Sequence, residues 1–313
     1  PLLVTWHTDF EAYADHYAAM GPFMDAYLRL LKAATTGVTR PRLADMRNWL
    51  SVKWFRKGMS RRALLNAART MLEAADVVTA PSPKTADRVL EAAPRAIVRV
   101  VPNGADALPP GPRIGQPAGP RIIYIGRIAP EKGIPLLLEA FEWVREDLPT
   151  AQLMIVGDWR PAPPSLRQKL LRASRKGGVI LAGHVKRENL EPYYESADVF
   201  AFPSMTDTQA LVLHEAAHAG LPIVTVDHEL QLVIDPGVNG LIARPTPESL
   251  ARNLVSMINR MNEDPSFAMR AHARSRELAD QYTIANQSAA IETLYQDLAA
   301  GRPISDCHND FTD

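Results

Sequence analysis

The chain has 313 residues, 46% apolar and 22% charged, with 35 Lys and Arg against 35 Asp and Glu. At roughly 100–200 residues per domain this makes about two domains, each able to bury a core, and it excludes long disorder, collagen and coiled coil. The balanced charge gives no global pull toward nucleic acid, and one cysteine, Cys307 in a polar tail, excludes a disulfide framework and a cysteine-based metal site.

No run approaches the roughly 18 apolar residues that a membrane span needs. The first residues, PLLVTWHTDF, lack the basic region and cleavage site of a signal peptide, so a soluble cytosolic protein is expected. Residues 2–6 read as a buried parallel strand. A strand starting this abruptly leads us to expect a further segment upstream of Pro1. Helical patterns are predicted over 9–34 and 59–74, a strand over 76–82, a helix from Pro83 to Leu90 and a strand over 97–101. Residues 102–120 hold six prolines and four glycines in nineteen positions, which marks a linker or domain edge.

After this linker the pattern alternates regularly. Strands are predicted over 121–126, 151–157, 179–183, 198–204, 221–227 and 239–245. Helices are predicted over 134–147, 165–174, 190–197, 208–220, 247–262 and 284–299. Buried strands alternating with helices build parallel βαβ units covered on both faces, so this part is a doubly wound α/β domain. The part before the linker reads as the second half of another. Ligands of such sheets bind at the carboxyl ends of the strands.

Two stretches carry chemistry. In IGRIAPEKG, a strand ends at Gly126 and a loop with Arg127 and Lys132 leads into a helix. Two cations placed there can clamp a diphosphate, or they can be solvated loop charges; spacing leaves both readings open. In TDTQALVLHE, residues 206–208 are N-cap types ahead of a helix, whose free amides at 208–211 suit a phosphate. Asp207 and Glu215, eight residues apart, can accept hydrogen bonds from sugar hydroxyls; alternatively Asp207 is only a cap and Glu215 a carboxylate held by backbone amides.

Taken together, DVVTAPS, VVPNGAD, IGRIAPEKG, ADVFAFPS, TDTQALVLHEAAHAGLPIV and PGVNGLI, in this order along the chain, resemble the motifs of retaining nucleotide-sugar glycosyltransferases of family four. The resemblance is densest over 97–245. It implies an α/β fold of the GT-B type, two Rossmann-like doubly wound domains with a cleft between them and the first incomplete. The expected limits are a partial acceptor-side domain at 1–103, a donor-binding domain at 104–280, and a helix and tail at 281–313, the helix packing back toward the first domain.

By the same resemblance Gly126, Arg127 and Lys132 hold the donor diphosphate, and Glu215 binds its ribose. Asp207 contacts the transferred sugar. The amides and side chains around Thr208, Gln209, Ala210, Leu211 and Val212 meet phosphate or sugar, Val185 lies against the base, and His7 stands near the reaction centre. Arg127, Lys132, Asp207 and His7 form the expected catalytic set. The donor would be a UDP- or GDP-sugar, the product would retain configuration, and no metal or other cofactor is expected, because cations of the protein stabilise the departing diphosphate.

This sequence departs from the family pattern in three places. Asp207 replaces a glutamate, His214 stands where an aliphatic residue is usual, and DHELQLV (227–233) replaces a glycine-rich stretch. Between Arg29 and Arg62 ten Lys and Arg accompany one acid and Trp49, Trp54 and Phe55. Such a stretch suits an anionic membrane surface and a sugar or glycolipid acceptor, or it is a solvated basic face. No nucleic-acid partner is expected. Alternatives are a GT-B nucleotide-sugar epimerase and a non-catalytic nucleotide-sugar-binding fragment.

Overall fold

The computed structural model describes residues 1–7 and 61–304, apart from 110, 112, 113 and 116. The predicted helix over 9–34, nearly all of the basic stretch 29–62 and Cys307 lie outside the described residues. The chain divides into two compact units, Pro1–Val101 with Glu292–Asp313, and Pro102–Ile291.

The described part of the first unit is a parallel sheet of β1 (Leu3–Thr5), β2 (Val77–Ala80) and β3 (Val98–Val100), in that order. It carries helices α1 (Arg61–Glu73) and α2 (Pro83–Ala92). α2 starts where Ser82 accepts a hydrogen bond from the Thr85 amide at 3.2 Å with Pro83 behind it, a cap and a first-turn proline as helix starts require. Leu72, Val78, Val89 and Val98 bury their side chains together beside Trp6.

The second unit is a six-stranded parallel sheet of β4 (Arg121–Ile125), β5 (Gln152–Val156), β6 (Val179–Gly183), β7 (Val199–Phe202), β8 (Ile223–Thr225) and β9 (Gly240–Ile242). The spatial order is β6-β5-β4-β7-β8-β9. The chain therefore builds outward from β4 in one direction, then returns to the other side of β4 and builds outward again. The reversal lies between β4 and β7, the kind of place at which open α/β sheets take their ligands.

Alternation along the strands splits the core into two layers. Ile122, Tyr124, Leu153 and Ile155 face α3 (Ile134–Asp147), α4 (Pro164–Lys176) and α7 (Pro247–Glu263). Ile123, Ile125, Met154, Phe200 and Phe202 pack with Tyr194 of α5 (Glu191–Glu195) and with Leu213, Ala216 and Ala217 of α6 (Leu211–His218). Two further helices, α8 (Pro265–Ala279) and α9 (Ile284–Ala299), follow.

Two features differ from the sequence expectation. α8 has no counterpart in it, because the face this helix buries is Phe267, Ala271, Ser275 and Ala279, too small and polar to give a hydrophobic period. Its start is nonetheless well built, with Asp264 accepting from the amides of Ser266 and Phe267. α6 begins at Leu211 rather than 208, because Ala210 adopts a left-handed conformation at its N-cap, with φ 62°.

Candidate active site

The loops after β4 and β7 are bound together at the reversal point of the sheet. Gly133, between the short turn Pro130–Lys132 and α3, has φ 71°, and a Cβ there would stand 2.1 Å from the Pro203 carbonyl oxygen. Only glycine allows that close approach in this conformation. Thr206 Oγ1 donates to the Glu131 carbonyl at 3.3 Å, and Lys132 Nζ meets Asp207 Oδ1 at 2.7 Å. Those two side chains are only 14% and 22% exposed. Ser204 Oγ donates to the other Asp207 oxygen.

Asp207 is thus not a helix cap. Its carboxylate is committed to Lys132 and Ser204 because α6 starts three residues later than the N-cap pattern suggested. The pair holds the ammonium where the loops after β4 and β7 meet, with two of its three donor protons left for other acceptors. Arg127 is placed differently. It is 60% exposed and pairs with Glu131 in its own loop at 2.8 Å. The loop beneath it is fixed by Tyr124, whose hydroxyl donates to the Arg127 carbonyl at 2.9 Å. Burial first, then the nearby Asp207 charge, push the Tyr124 hydroxyl pKa up, so it stays a neutral donor.

Beside these loops, at the carboxyl ends of β4, β5 and β6, lies a cavity of about 580 Å³. Gly126, Arg127, Glu131, Asp158, His184 and Val185 are among its walls. The cavity therefore brings Gly126 and Arg127 of one stretch together with Val185 of another. Asp158 and His184 join them without having been singled out in the sequence. Asp158 is bound by Arg160 through both of its oxygens, which lowers its pKa chiefly through that side-chain hydrogen bond.

Glu215 sits one turn from the end of α6 with its side chain 8% exposed. Oε1 accepts from Arg187 Nε at 2.9 Å, and Oε2 accepts from the Tyr194 hydroxyl at 2.9 Å. The partners are side chains, not the backbone amides that one sequence reading allowed. Tyr194 is fully buried; burial, then the Glu215 charge, raise its pKa well above the ordinary tyrosine value, so it remains protonated and donates. The roles of all four partners escaped the sequence reading: Arg187 and Tyr194 act on a residue distant in the chain, while Tyr124 and Ser204 act only three residues along but through contacts that their types do not announce.

Gln209 is buried and spends its amide on the backbone of Asn103. Asn103 N donates to Oε1 at 2.7 Å, and Nε2 donates to the Asn103 carbonyl at 2.9 Å. Nε2 also lies 3.1 Å from His214 Nε2. Thr208 and Val212 are half-buried, while Leu211 is exposed at the first turn of α6. In that turn Leu213 N donates to the carbonyl of the N-cap Ala210 at 2.9 Å, and the turn forms the positive end of the helix dipole. His7 belongs to the first unit, where it follows β1 and is exposed. Among the described residues, no group of three or more His, Cys, Asp or Glu side chains is arranged to hold a metal ion.

Residues 119–260, which contain every one of these groups except His7 and Asn103, match the family described as glycosyl transferases group 1. The matched stretch is a little under half of the chain. Across 178 residues the chain is 32% identical to the alpha-monoglucosyldiacylglycerol synthase of Acholeplasma laidlawii. That alignment takes in 56% of this chain and 43% of the relative, so the chain spans less than half the relative's length. Among solved structures, the chain resembles the sucrose-phosphate synthase of Thermosynechococcus elongatus with a TM-score of 0.64 and 22% identity, over 82% of this chain and 65% of that one. HepE of Anabaena, solved in complex with UDP and glucose, gives a TM-score of 0.60 and 21% identity over 75% and 67%. These likenesses are to α/β proteins of the GT-B class, and the fold of the chain is of that class.

Proposed function

We propose that this protein transfers a hexose from a nucleoside diphosphate sugar to an acceptor hydroxyl, with retention of configuration. The observation that carries this reading is the assembly at the sheet reversal. Arg127, the Lys132–Asp207 pair and the first turn of α6 stand at the strand ends beside a cavity large enough for a nucleoside. HepE, a likeness in fold, is solved with UDP and glucose, which supports a UDP-sugar donor; a GDP-sugar is the other candidate.

Departure of a nucleoside diphosphate develops negative charge on its terminal phosphate. Fixed cations and a helix N-terminus stabilise that charge more in the transition state than in the ground state, and so accelerate the reaction. In this reading Lys132 and Arg127 supply the charge that a metal supplies elsewhere. Asp207 orients Lys132 and reaches the transferred sugar, Val185 lines the base, Glu215 takes the ribose, and His7 of the first unit acts near the sugar. The relative from Acholeplasma is named for making a monoglucosyl diacylglycerol, a glycolipid product, which supports a lipid or lipid-linked acceptor; work at the cytoplasmic face of a membrane is part of the same proposal.

The test is calorimetry with UDP- and GDP-sugars alongside turnover with glycolipid and sugar acceptors. Arg127→Ala and Lys132→Ala should each lower turnover by about 10²–10³, the scale for losing one preorganised group at developing charge. Normal turnover in both variants removes the clamp. Donor binding with neither transfer nor hydrolysis in the wild-type chain favours a binding protein.

A further inference from the structure

The carboxylate of Glu215 has two unlike partners. Tyr194 reaches Oε2 from inside the core, is fully buried and cannot leave without opening the packing around Phe200. Arg187 reaches Oε1 through Nε from the turn Arg187–Asn189, and its side chain is 55% exposed against 8% for Glu215. One partner is permanent and sets the orientation of the carboxylate. The other is a solvated arm lying over the side that faces water.

The place of that arm in the chain matters. Val185 and Leu190, which line the 580 Å³ cavity, bracket Arg187 two residues before and three residues after it. Neither Arg187 nor Glu215 is itself among the cavity's walls; in the proposed donor pose the base lies against Val185 and the ribose reaches out to the neighbouring Arg187–Glu215 pair. Oε1 is a charged acceptor, and a ribose hydroxyl seeking it meets the guanidinium already there.

We propose that Arg187 is a latch over Glu215 which the 2′- and 3′-hydroxyls of a ribonucleotide must displace. The latch makes this site read the sugar of the nucleotide as well as its base and phosphates. It rests on the reading of Glu215 as the ribose acceptor. A ribonucleotide replaces the Arg187 contact with hydrogen bonds to a charged group; a dideoxyribonucleotide has nothing to offer Glu215, and leaves the latch closed.

The test is titration calorimetry of the full chain with UDP and GDP and with their 2′,3′-dideoxy counterparts. Arg187→Ala should bind the ribonucleotides about fivefold more tightly than wild type, the factor matching an exposed ion pair of about 1 kcal/mol. Its affinity for the dideoxy forms should be unchanged, so the preference for ribose widens by the same factor. Arg187→Gln, which keeps most of the stem over Glu215 but drops the charge, covers the case in which truncation disturbs the carboxylate; it should shift affinity the same way. Equal ribose preference in wild type and both variants overturns the latch while leaving the donor site standing. Weaker binding of all four nucleotides by the variants also overturns it, since Arg187 is then a phosphate-attracting cation. If the wild-type chain binds none of the four, the donor-site reading falls and takes the latch with it.

Discussion

Ala210 is the only non-glycine residue among the described ones with a positive φ, at φ 62° and ψ 77°. An alanine pays for this in repulsion between its Cβ and the following carbonyl, a cost of about 1–2 kcal/mol that glycine escapes. The strain lies at the N-cap of α6, next to the loop that carries Asp207, and backbone at functional sites is often held against its preference. Its effect here is to delay the helix until Leu211 and to leave 204–209 as a loop whose side chains turn toward Lys132 and Asn103. Ala210→Gly should therefore raise unfolding stability by about 1 kcal/mol, after the entropy of the added glycine is subtracted. Urea titration checks this: an unchanged or lower midpoint means that the left-handed geometry carries no strain.

At the scale of elements, α6 holds the segment 103–105 to the second unit through a buried polar chain. Gln209 grips both backbone groups of Asn103, His214 accepts from Gln209, and His218 Nε2 lies 2.6 Å from the Ala105 carbonyl. Accepting at Nε2 puts the His214 proton on Nδ1, which has no hydrogen-bond partner among the described residues and sits by the ring of Tyr282, edge to face at 5.3 Å. Burial, then the His218 charge, lower the His214 pKa from 6.5 to about 3. The unfolded chain takes up this proton near pH 6.5 and the folded one only near pH 3. The stability this neutral histidine allows is thus full above pH 6.5 and is lost progressively as pH falls toward 3. His214→Leu should flatten the acid limb of the stability profile between those values, and an unaltered slope shows that other groups carry it.

This same helix shows what could be read in advance. The strands from β4 to β9 and the helices around them were legible, because buried parallel strands and amphipathic helices leave different periods in the chain. The site was legible where chemistry is local, as with Gly126 and Arg127 around one turn. It was not where a partner comes from far away. Nothing near Glu215 announces Tyr194 or Arg187, and nothing in 206–208 tells that Asp207 will turn to Lys132, 75 residues earlier, rather than cap the helix. Pairing of that kind is set by which strands lie side by side, and β4 beside β7 is a property of the sheet order alone.

At the scale of the whole molecule, the second unit carries its own sheet with a core on each face, and holds every group assigned to the donor apart from His7. Leu137, Leu153 and Phe200 are wholly buried within it, and losing such a side chain typically costs about 2–5 kcal/mol, so the packing is a large share of the unit's stability. Binding and transfer should therefore come apart. A chain cut to residues 102–299, which keeps α9 whole, should fold cooperatively and bind UDP or GDP within a few-fold of the full chain's affinity, because cavity, cations and Glu215 remain. It should transfer no sugar, since His7 and the rest of the first unit are gone. Loss of nucleotide affinity in a folded fragment would mean that the first unit contributes to donor binding, and the allocation of the donor to one unit would be wrong. Retained transfer would remove His7 from the reaction.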